Sequence, residues 1–130
     1  MEKALAAFSP YAYAILRIIA GLLFFCHGGQ KLFGWFGGQP VPLGSLFGVA
    51  GILEIVLGSL ITIGLFAATA AFVASGEMAF AYFIGHFPKS FWPLENQGEP
   101  AVLFCFIFLY MATRGSGIWS IDAARSRVRY

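Results

Sequence analysis

The stretch YAYAILRIIAGLLFFCHGGQKLF, from Tyr11 to Phe33, decides the fold class of this chain. As an α-helix rising about 1.5 Å per residue, it is long enough to cross about 30 Å of hydrocarbon. Arg17, His27 and Lys31 interrupt its apolar run. Because charged groups are costly inside a bilayer, we expect these side chains to face protein and not lipid.

The composition of the whole chain also indicates a membrane protein. Of its 130 residues, 59% are hydrophobic and 11% are charged, and the mean hydropathy is +0.80. A soluble domain averages about 25% charged residues, and a soluble core of this size could not bury so much apolar surface. The expected partner is the lipid bilayer. A net charge of +2, carried mainly by a basic tail, gives no reason to expect a nucleic acid partner.

Four apolar runs predict an all-α membrane protein, a bundle of four transmembrane helices in one domain spanning 1–130. The predicted helices cover about 11–33, 43–66, 67–87 and 99–118. A β-barrel is excluded because the runs are continuous and do not alternate.

The positions of Lys and Arg predict the orientation of the bundle. With four spans both termini lie on one side, and that side holds Lys3, Arg114, Arg125, Arg127 and Arg129. The other side holds only Lys31 and Lys89. We therefore expect a multi-pass protein of the bacterial inner membrane with both termini in the cytoplasm, its first helix being a retained anchor and not a cleaved signal peptide.

The charged residues of the first three helices share a face with small residues. At about 100° per residue, Arg17 and Lys31 lie on one face of the first helix, and Glu54 and Glu77 lie on comparable faces of the second and third. The small residues on these faces are Gly21, Gly28, Gly44, Gly48, Gly51, Gly58, Ala70, Ala74 and Ala81. Because small residues let helices approach closely, we expect these faces to point into the bundle.

Six residues are candidates for ligand binding or proton relay: His27, Lys31, Glu54, Glu77, His86 and Glu99. Helix rise places Glu54 and Glu77 near the middle of the bilayer and the other four near its outer end. Two interpretations stay open. One is a polar pocket for a ligand, since intramembrane ionisable groups mark functional sites. The other is a set of structural ion pairs, Arg17–Glu54 and Lys31–Glu99, with Arg17 the stronger candidate for a structural role.

Metal and thiol chemistry are weaker hypotheses. His27, His86 and Glu99 could form a two-histidine, one-carboxylate set, but no metal-binding spacing supports it, so no metal is predicted. Cys26 and Cys105 could form a redox pair, although two small buried side chains are the more common case. The sequence contains no C-x-x-C motif, phosphate loop or nucleotide-binding fingerprint.

Three stretches of the chain resemble the DoxX family of small bacterial membrane proteins. They are LRIIAGLLFFCHGGQKLFGWFGG, GVAGILEIVLGSLITIGLFAATAA and MAFAYFIGHFPKSFWPLENQGEPAVLFCFIFLYMATRGSGIWSID, which together extend from Leu16 to Asp122. Glu54 stands at the family's characteristic acidic position, and His86 and the Trp-Pro and Asn-x-Gly-Glu elements are family-like. One departure is GLFAAT after the second helix, where family members often carry an Arg.

The resemblance implies a four-helix protein of the inner membrane whose relatives include subunits of quinone-linked oxidoreductases and oxidative-stress complexes. The leading hypothesis is therefore a quinone-interacting membrane subunit without its own redox centre, whether or not it is itself catalytic. It would work with a redox partner subunit, and a second copy of the chain is a further candidate partner. The alternatives are a non-catalytic scaffold or assembly protein and a small proton-coupled transporter.

Overall fold

The computed structural model describes residues 1–127, which contain α-helices and helical turns and no strand. The α-helices are α1 (Glu2–Ala6), α2 (Ser9–Phe33), α3 (Leu46–Ile63), α4 (Ala67–Ala81), α5 (Pro93–Asn96), α6 (Glu99–Arg114) and α7 (Ile121–Arg127). A 3-10 turn, Trp35–Gly37, follows α2, and a π-helical turn, Tyr82–His86, continues α4. Arg129, one of the tail cations in the orientation argument, lies outside the described residues.

Three helical segments are long and apolar enough to cross a membrane: α2, α3, and α4 together with its π turn. Helix α6 has 16 residues and follows the predicted fourth run. The prediction of an all-helical membrane protein is therefore confirmed, with three spans supported by length and composition.

Three predicted helix boundaries differ from the structure by three residues or more. Helix α3 begins three residues later than predicted, because Ser45 caps it by accepting a hydrogen bond from the backbone N–H of Gly48 at 3.1 Å. It ends before Gly64, which adopts a left-handed φ of 72°. Helix α6 ends at Arg114 and does not continue to 118, because Gly115 has φ 88° and ψ −168° and leaves the helical conformation.

The long helices pack as two pairs, α2 with α3 and α4 with α6. Between α2 and α3 the backbones touch. A Cβ atom added to Gly21 would lie 2.7 Å from the backbone N of Thr62, and one added to Gly58 would lie 2.6 Å from that of Phe25. Only glycine fits such distances, so these glycine-bearing faces of α2 and α3 do point into the bundle as expected. Gly44 is the exception, because it lies exposed before α3 begins and a Cβ added there would meet no atom within 4 Å.

Aromatic side chains join the two pairs. Phe24 of α2 is buried, and its ring centroid lies 4.9 Å from that of Phe108 and 5.9 Å from that of Phe104, both on α6. These contacts hold α2 against α6 midway along the bundle.

Arg17 is fully buried at the end of the bundle that carries the termini. Its guanidinium donates hydrogen bonds to the backbone carbonyls of Ile61 at 3.1 Å, Ile118 at 2.9 Å, Trp119 at 2.6 Å and Ser116. The segment after α6 therefore wraps the guanidinium, because its glycines and turns direct three carbonyls toward one charge.

Asp122 closes the same end of the bundle. Its carboxylate accepts hydrogen bonds from the backbone N–H groups of Phe66 at 3.0 Å and Ala67 at 3.1 Å, where α4 begins, and from the hydroxyl of Ser116. A carboxylate also suits the positive end of the helix dipole. Arg17, the carbonyls that it binds and Asp122 are called the Arg17 cluster below.

Candidate functional site

A cavity of about 580 Å³ lies at the opposite end of the bundle, between the two helix pairs. Helices α2, α3, α4 with its π turn, and α6 all contribute side chains to it. Most of its wall is apolar. The polar side chains on the wall are His27, Lys31, Glu54, Glu77, His86 and Gln97.

Lys31 and Glu54 form an ion pair on one side of this cavity. The Lys31 ammonium donates to Oε1 of Glu54. Glu54 is only 1% exposed, whereas Lys31 is 27% exposed. Gly51 allows the pair to form because it has no side chain: a Cβ added there would lie only 3.2 Å from Cβ of Lys31. The close approach of α2 and α3 therefore brings the two charges together.

Glu77 faces the same cavity from α4 and has no hydrogen-bond partner among residues 1–127. Both of its carboxyl oxygens are buried and make no hydrogen bond within residues 1–127, and the same holds for Oε2 of Glu54. Buried polar atoms nearly always have a hydrogen-bond partner, and leaving one unpaired costs about 1–3 kcal/mol. Three acidic oxygens beside one lysine therefore form a site that a proton, water or a polar ligand would complete. Lys31, Glu54 and Glu77 are called the cavity cluster below.

His27 lies one turn before Lys31 on α2 and reaches the cavity wall. Its ring stands edge-on to Phe104 at a centroid distance of 5.9 Å and an interplanar angle of 89°. The imidazole therefore has an aromatic neighbour on one side and the cavity on another, and it can donate or accept a proton there.

His86 reaches the cavity from the π turn that continues α4. Its Nδ1 lies 3.0 Å from the backbone carbonyl oxygen of Asn96. A carbonyl oxygen only accepts, so Nδ1 is the donor in this contact, and in the neutral form of the ring Nε2 is then the acceptor nitrogen. π-helical turns often occur at functional sites because they redirect side chains out of the regular helical register.

Asn96 was not among the candidate site residues predicted from the sequence, although it is fully buried and fixes this part of the wall. Its amide donates to the hydroxyl of Tyr82 at 3.1 Å and to the carbonyl of Ser90 at 2.7 Å, and its Oδ1 accepts from the N–H of Gly98 at 2.8 Å. These bonds anchor the loop behind His86. Its place in the Asn-x-Gly-Glu element was the only sequence signal for it.

Both ion pairs predicted from the sequence are wrong. Arg17 binds backbone carbonyls and not Glu54, because the segment after α6 turns back over it. Lys31 pairs with Glu54 and not with Glu99. Glu99 is exposed at the start of α6, where solvent and the helix dipole stabilise its charge, and it lines a separate cavity beside Trp92.

The fold brings the other five candidate residues to the wall of one cavity. His27, Lys31, Glu54, Glu77 and His86 all line one cavity, whereas Glu99 does not. Within residues 1–127, no group of three or more His, Cys, Asp and Glu side chains could hold a metal ion. Cys26 and Cys105 are both free thiols.

Comparison with known proteins identifies the family. The DoxX family model matches residues 12–87. A protein of Haemophilus influenzae described as an uncharacterized protein is 38% identical over 125 residues, which cover 91% of this chain and 93% of that protein. No solved structure matches the chain. The matched residues include all four candidate residues on α2, α3 and α4, and also His86 in the π turn.

Proposed function

The chain belongs to the DoxX family, and we propose that it is a quinone-binding membrane subunit of a redox assembly. The observation that carries this proposal is the cavity of about 580 Å³, whose walls are mostly apolar. Both carboxyl oxygens of Glu77 and Oε2 of Glu54 are buried there without a hydrogen-bond partner among the residues that the structure describes. Ligand pockets of about 300–1,000 Å³ commonly combine apolar walls with a few polar groups that orient the ligand.

The chemistry of a quinone suits this combination. Its ring and tail are apolar, and its two oxygens need hydrogen-bond donors in the oxidised form and proton acceptors after reduction. Lys31 and His27 offer donors, and Glu77, Glu54 and Nε2 of His86 offer acceptors on the same wall. Groups that can both give and take a proton within reach of the reacting oxygen are what general acid–base catalysis requires.

Reduction of a quinone to its hydroquinone consumes two electrons and two protons. The cavity cluster supplies a route for the protons through its carboxyl groups. The chain has only two cysteines and no haem or flavin motif, so in this proposal the electrons come from a partner subunit. The protein then provides the quinone site, and its partner provides the redox centre.

The proposed setting is the bacterial inner membrane, crossed by four helices with both termini in the cytoplasm. Helix α6 is the fourth span, since its 16 residues extend about 24 Å and it packs along α4. In a background with Cys26 and Cys105 replaced by alanine, Ser90→Cys should react with an impermeant thiol reagent in intact cells. Ser126→Cys should stay unlabelled, and the reverse pattern would contradict this orientation.

The test of function is quinone binding by the purified protein. We expect lipid extracts of protein isolated from native membranes to contain quinone in near-stoichiometric amount. Glu77→Leu should weaken quinone binding by about tenfold, which corresponds to about 1.4 kcal/mol, because it removes a polar partner of the ring oxygens. Glu99→Leu is the matched control, since Glu99 lies outside the cavity, and it should bind quinone like the wild type.

The other two hypotheses give different results in the same preparation. A scaffold or assembly protein would copurify with stoichiometric partner proteins and no quinone. A proton-coupled transporter would drive proton-dependent uptake when reconstituted in vesicles. Either result, together with equal behaviour of Glu77→Leu and Glu99→Leu, would reject the quinone proposal.

A further inference from the structure

The cavity has an apolar border that is also the outer surface of the protein. Phe47 and Leu53 on α3 and Phe80 on α4 line the cavity, as does Ile84 in the π turn. Phe47 is nevertheless 58% exposed, Phe80 55% and Ile84 46%. Side chains that line a cavity and face outward at once mark its opening, which is called the α3–α4 slot below.

The slot follows from the way the helices are paired. Helix α3 packs most extensively against α2 and α4 against α6, whereas α3 and α4 pack against each other less extensively and are joined by the short turn around Gly64 and Phe66. Asp122 holds that turn at the end of the bundle away from the cavity. Toward the loop end, the cavity separates α3 from α4.

The position of the slot determines what it faces. Both helices that border it belong to segments long and apolar enough to cross a membrane, and the bordering side chains are aromatic or aliphatic. An opening of this kind at the surface of a span faces lipid hydrocarbon. A second exposed border, at Gln97 and Pro100, lies beside the loop and is the competing route from water.

We propose that the ligand enters sideways from the bilayer through the α3–α4 slot and keeps its tail there. This inference rests on the proposed function and specifies its substrate class, a quinone with a long isoprenoid chain. The ring reaches the cavity cluster, while the tail lies among Phe47, Leu53, Phe80 and Ile84 and extends into lipid. A tailless, water-soluble quinone would forgo these apolar contacts.

Gly85 allows the slot to be closed by a single substitution. It lines the cavity, its φ is not left-handed, and a Cβ added there would meet no atom within 4 Å. Gly85→Leu should therefore fill the space without a clash. Gly76 is the matched control, because its Cβ would also meet open space but it lies outside the cavity lining.

The first experiment measures binding of quinones that share one ring and differ in tail length. The protein is reconstituted in lipid nanodiscs, and affinities are expressed per mole fraction of quinone in the membrane, so that simple partitioning of the tail is removed. We expect the long-tailed quinone to bind about tenfold or more tighter than the tailless one. Gly85→Leu should abolish that advantage, and Gly76→Leu should keep it.

The second experiment detects the opening without any quinone. A phospholipid with a photoreactive diazirine near the end of its acyl chain is incorporated in the nanodisc and activated by light. We expect labelled peptides to include the cavity-facing Ala50 and Met78, and we expect Gly85→Leu to lose this label. Label on Phe72 and Val73, which are exposed on α4 outside the cavity, should persist in both.

The two experiments distinguish a failure of the quinone proposal from a failure of the proposed entry route. If no quinone binds but Ala50 and Met78 are labelled, the slot opens to lipid and the quinone proposal fails. If tailed and tailless quinones bind equally and only Phe72 and Val73 are labelled, the quinone site stands and entry from the bilayer is wrong. The loop-side border at Gln97 would then be the route.

Discussion

The Arg17 cluster and the cavity cluster both place charge inside the bundle, but they differ in how that charge is satisfied. The guanidinium of Arg17 has four backbone carbonyls as acceptors. In the cavity cluster, three of the four carboxyl oxygens of Glu54 and Glu77 have no partner within residues 1–127. A fully bonded charge fixes structure, whereas an unpaired one is kept at a cost in stability that a ligand or proton can offset.

The two clusters also differ in the type of group that surrounds the charge. Backbone carbonyls and the loop of 115–120 surround Arg17, so removing its side chain disturbs the chain path itself. Side chains alone form the cavity cluster, and they stand on helices that the glycine seam and the aromatic contacts already hold. Substitutions in the Arg17 cluster should therefore lower stability more than quinone binding. Substitutions in the cavity cluster should lower quinone binding more than stability.

The largest effect is expected from the Arg17 cluster. Arg17→Met should lower the free energy of unfolding by about 3–5 kcal/mol, because it leaves several buried carbonyls without a donor. Arg17→Lys should lose less, since it keeps the charge but not the planar fork of donors. Unfolding in detergent measures both variants. Their remaining folded fraction should bind quinone like the wild type, and a specific loss of binding would place Arg17 in the site.

The next effect concerns the ion pair of the cavity cluster. Lys31→Met alone leaves the buried Glu54 carboxylate without its cation, and Glu54→Gln alone leaves the ammonium without its anion. The double variant should be more stable than the sum of the two single changes predicts, with a coupling of about 1–3 kcal/mol. Additive effects in a double-mutant cycle would show that the pair contributes nothing. Lys31→Met with Glu99→Gln serves as the control and should show no coupling.

The burial of Arg17 and Glu54 was predictable because helical periodicity alone places each on a face with glycines. The identity of their partners was not. The carbonyls of Ser116, Ile118 and Trp119 carry no side-chain signature, and they converge on Arg17 only because Gly115 ends α6 early. Backbone acceptors in an irregular segment cannot be read from residue types.

The pairing of Lys31 with Glu54 was missed for a second physical reason. The predicted second helix began near 43, which placed Glu54 near the middle of the bilayer and out of reach. Because α3 begins at Leu46, Glu54 lies only about 12 Å from its first residue. The long stem of Lys31 extends to it across the close contact at Gly51, while Glu99 stays at the surface.

A smaller effect with the opposite sign is expected at Glu77. Glu77→Leu should raise the free energy of unfolding by about 1 kcal/mol, because it removes buried polar atoms that have no hydrogen-bond partner in the described part of the chain. The same variant should bind quinone about tenfold more weakly than the wild type. Chemical denaturation in detergent gives the sign directly. A loss of stability comparable to that of Arg17→Met would mean that Glu77 has a structural partner, and the contrast between the two clusters would disappear.

The smallest effect is expected in the pH dependence of stability that Asp122 gives to the Arg17 cluster. Burial by itself raises the pKa of Asp122, but hydrogen bonds from Ser116 and from the backbone of Phe66 and Ala67, together with the charge of Arg125, hold its pKa below the ordinary value. The folded pKa is therefore lower than the unfolded value of about 3.9. The stabilisation is fully present above that unfolded value and is lost as the pH falls through the folded pKa.

Unfolding measured from neutral to acidic pH tests this assignment. The wild type should lose stability below about pH 4, and Asp122→Asn should lose this part of the pH dependence while being less stable near neutrality. Ser116→Ala removes one donor to the carboxylate, so it should raise the pKa of Asp122 and shift the loss toward higher pH. If the stability of both variants depends on acidic pH as that of the wild type does, the hydrogen bonds to Asp122 stabilise it no more than solvent stabilises an exposed carboxylate. The Arg17 cluster would then be fixed by its carbonyl bonds alone.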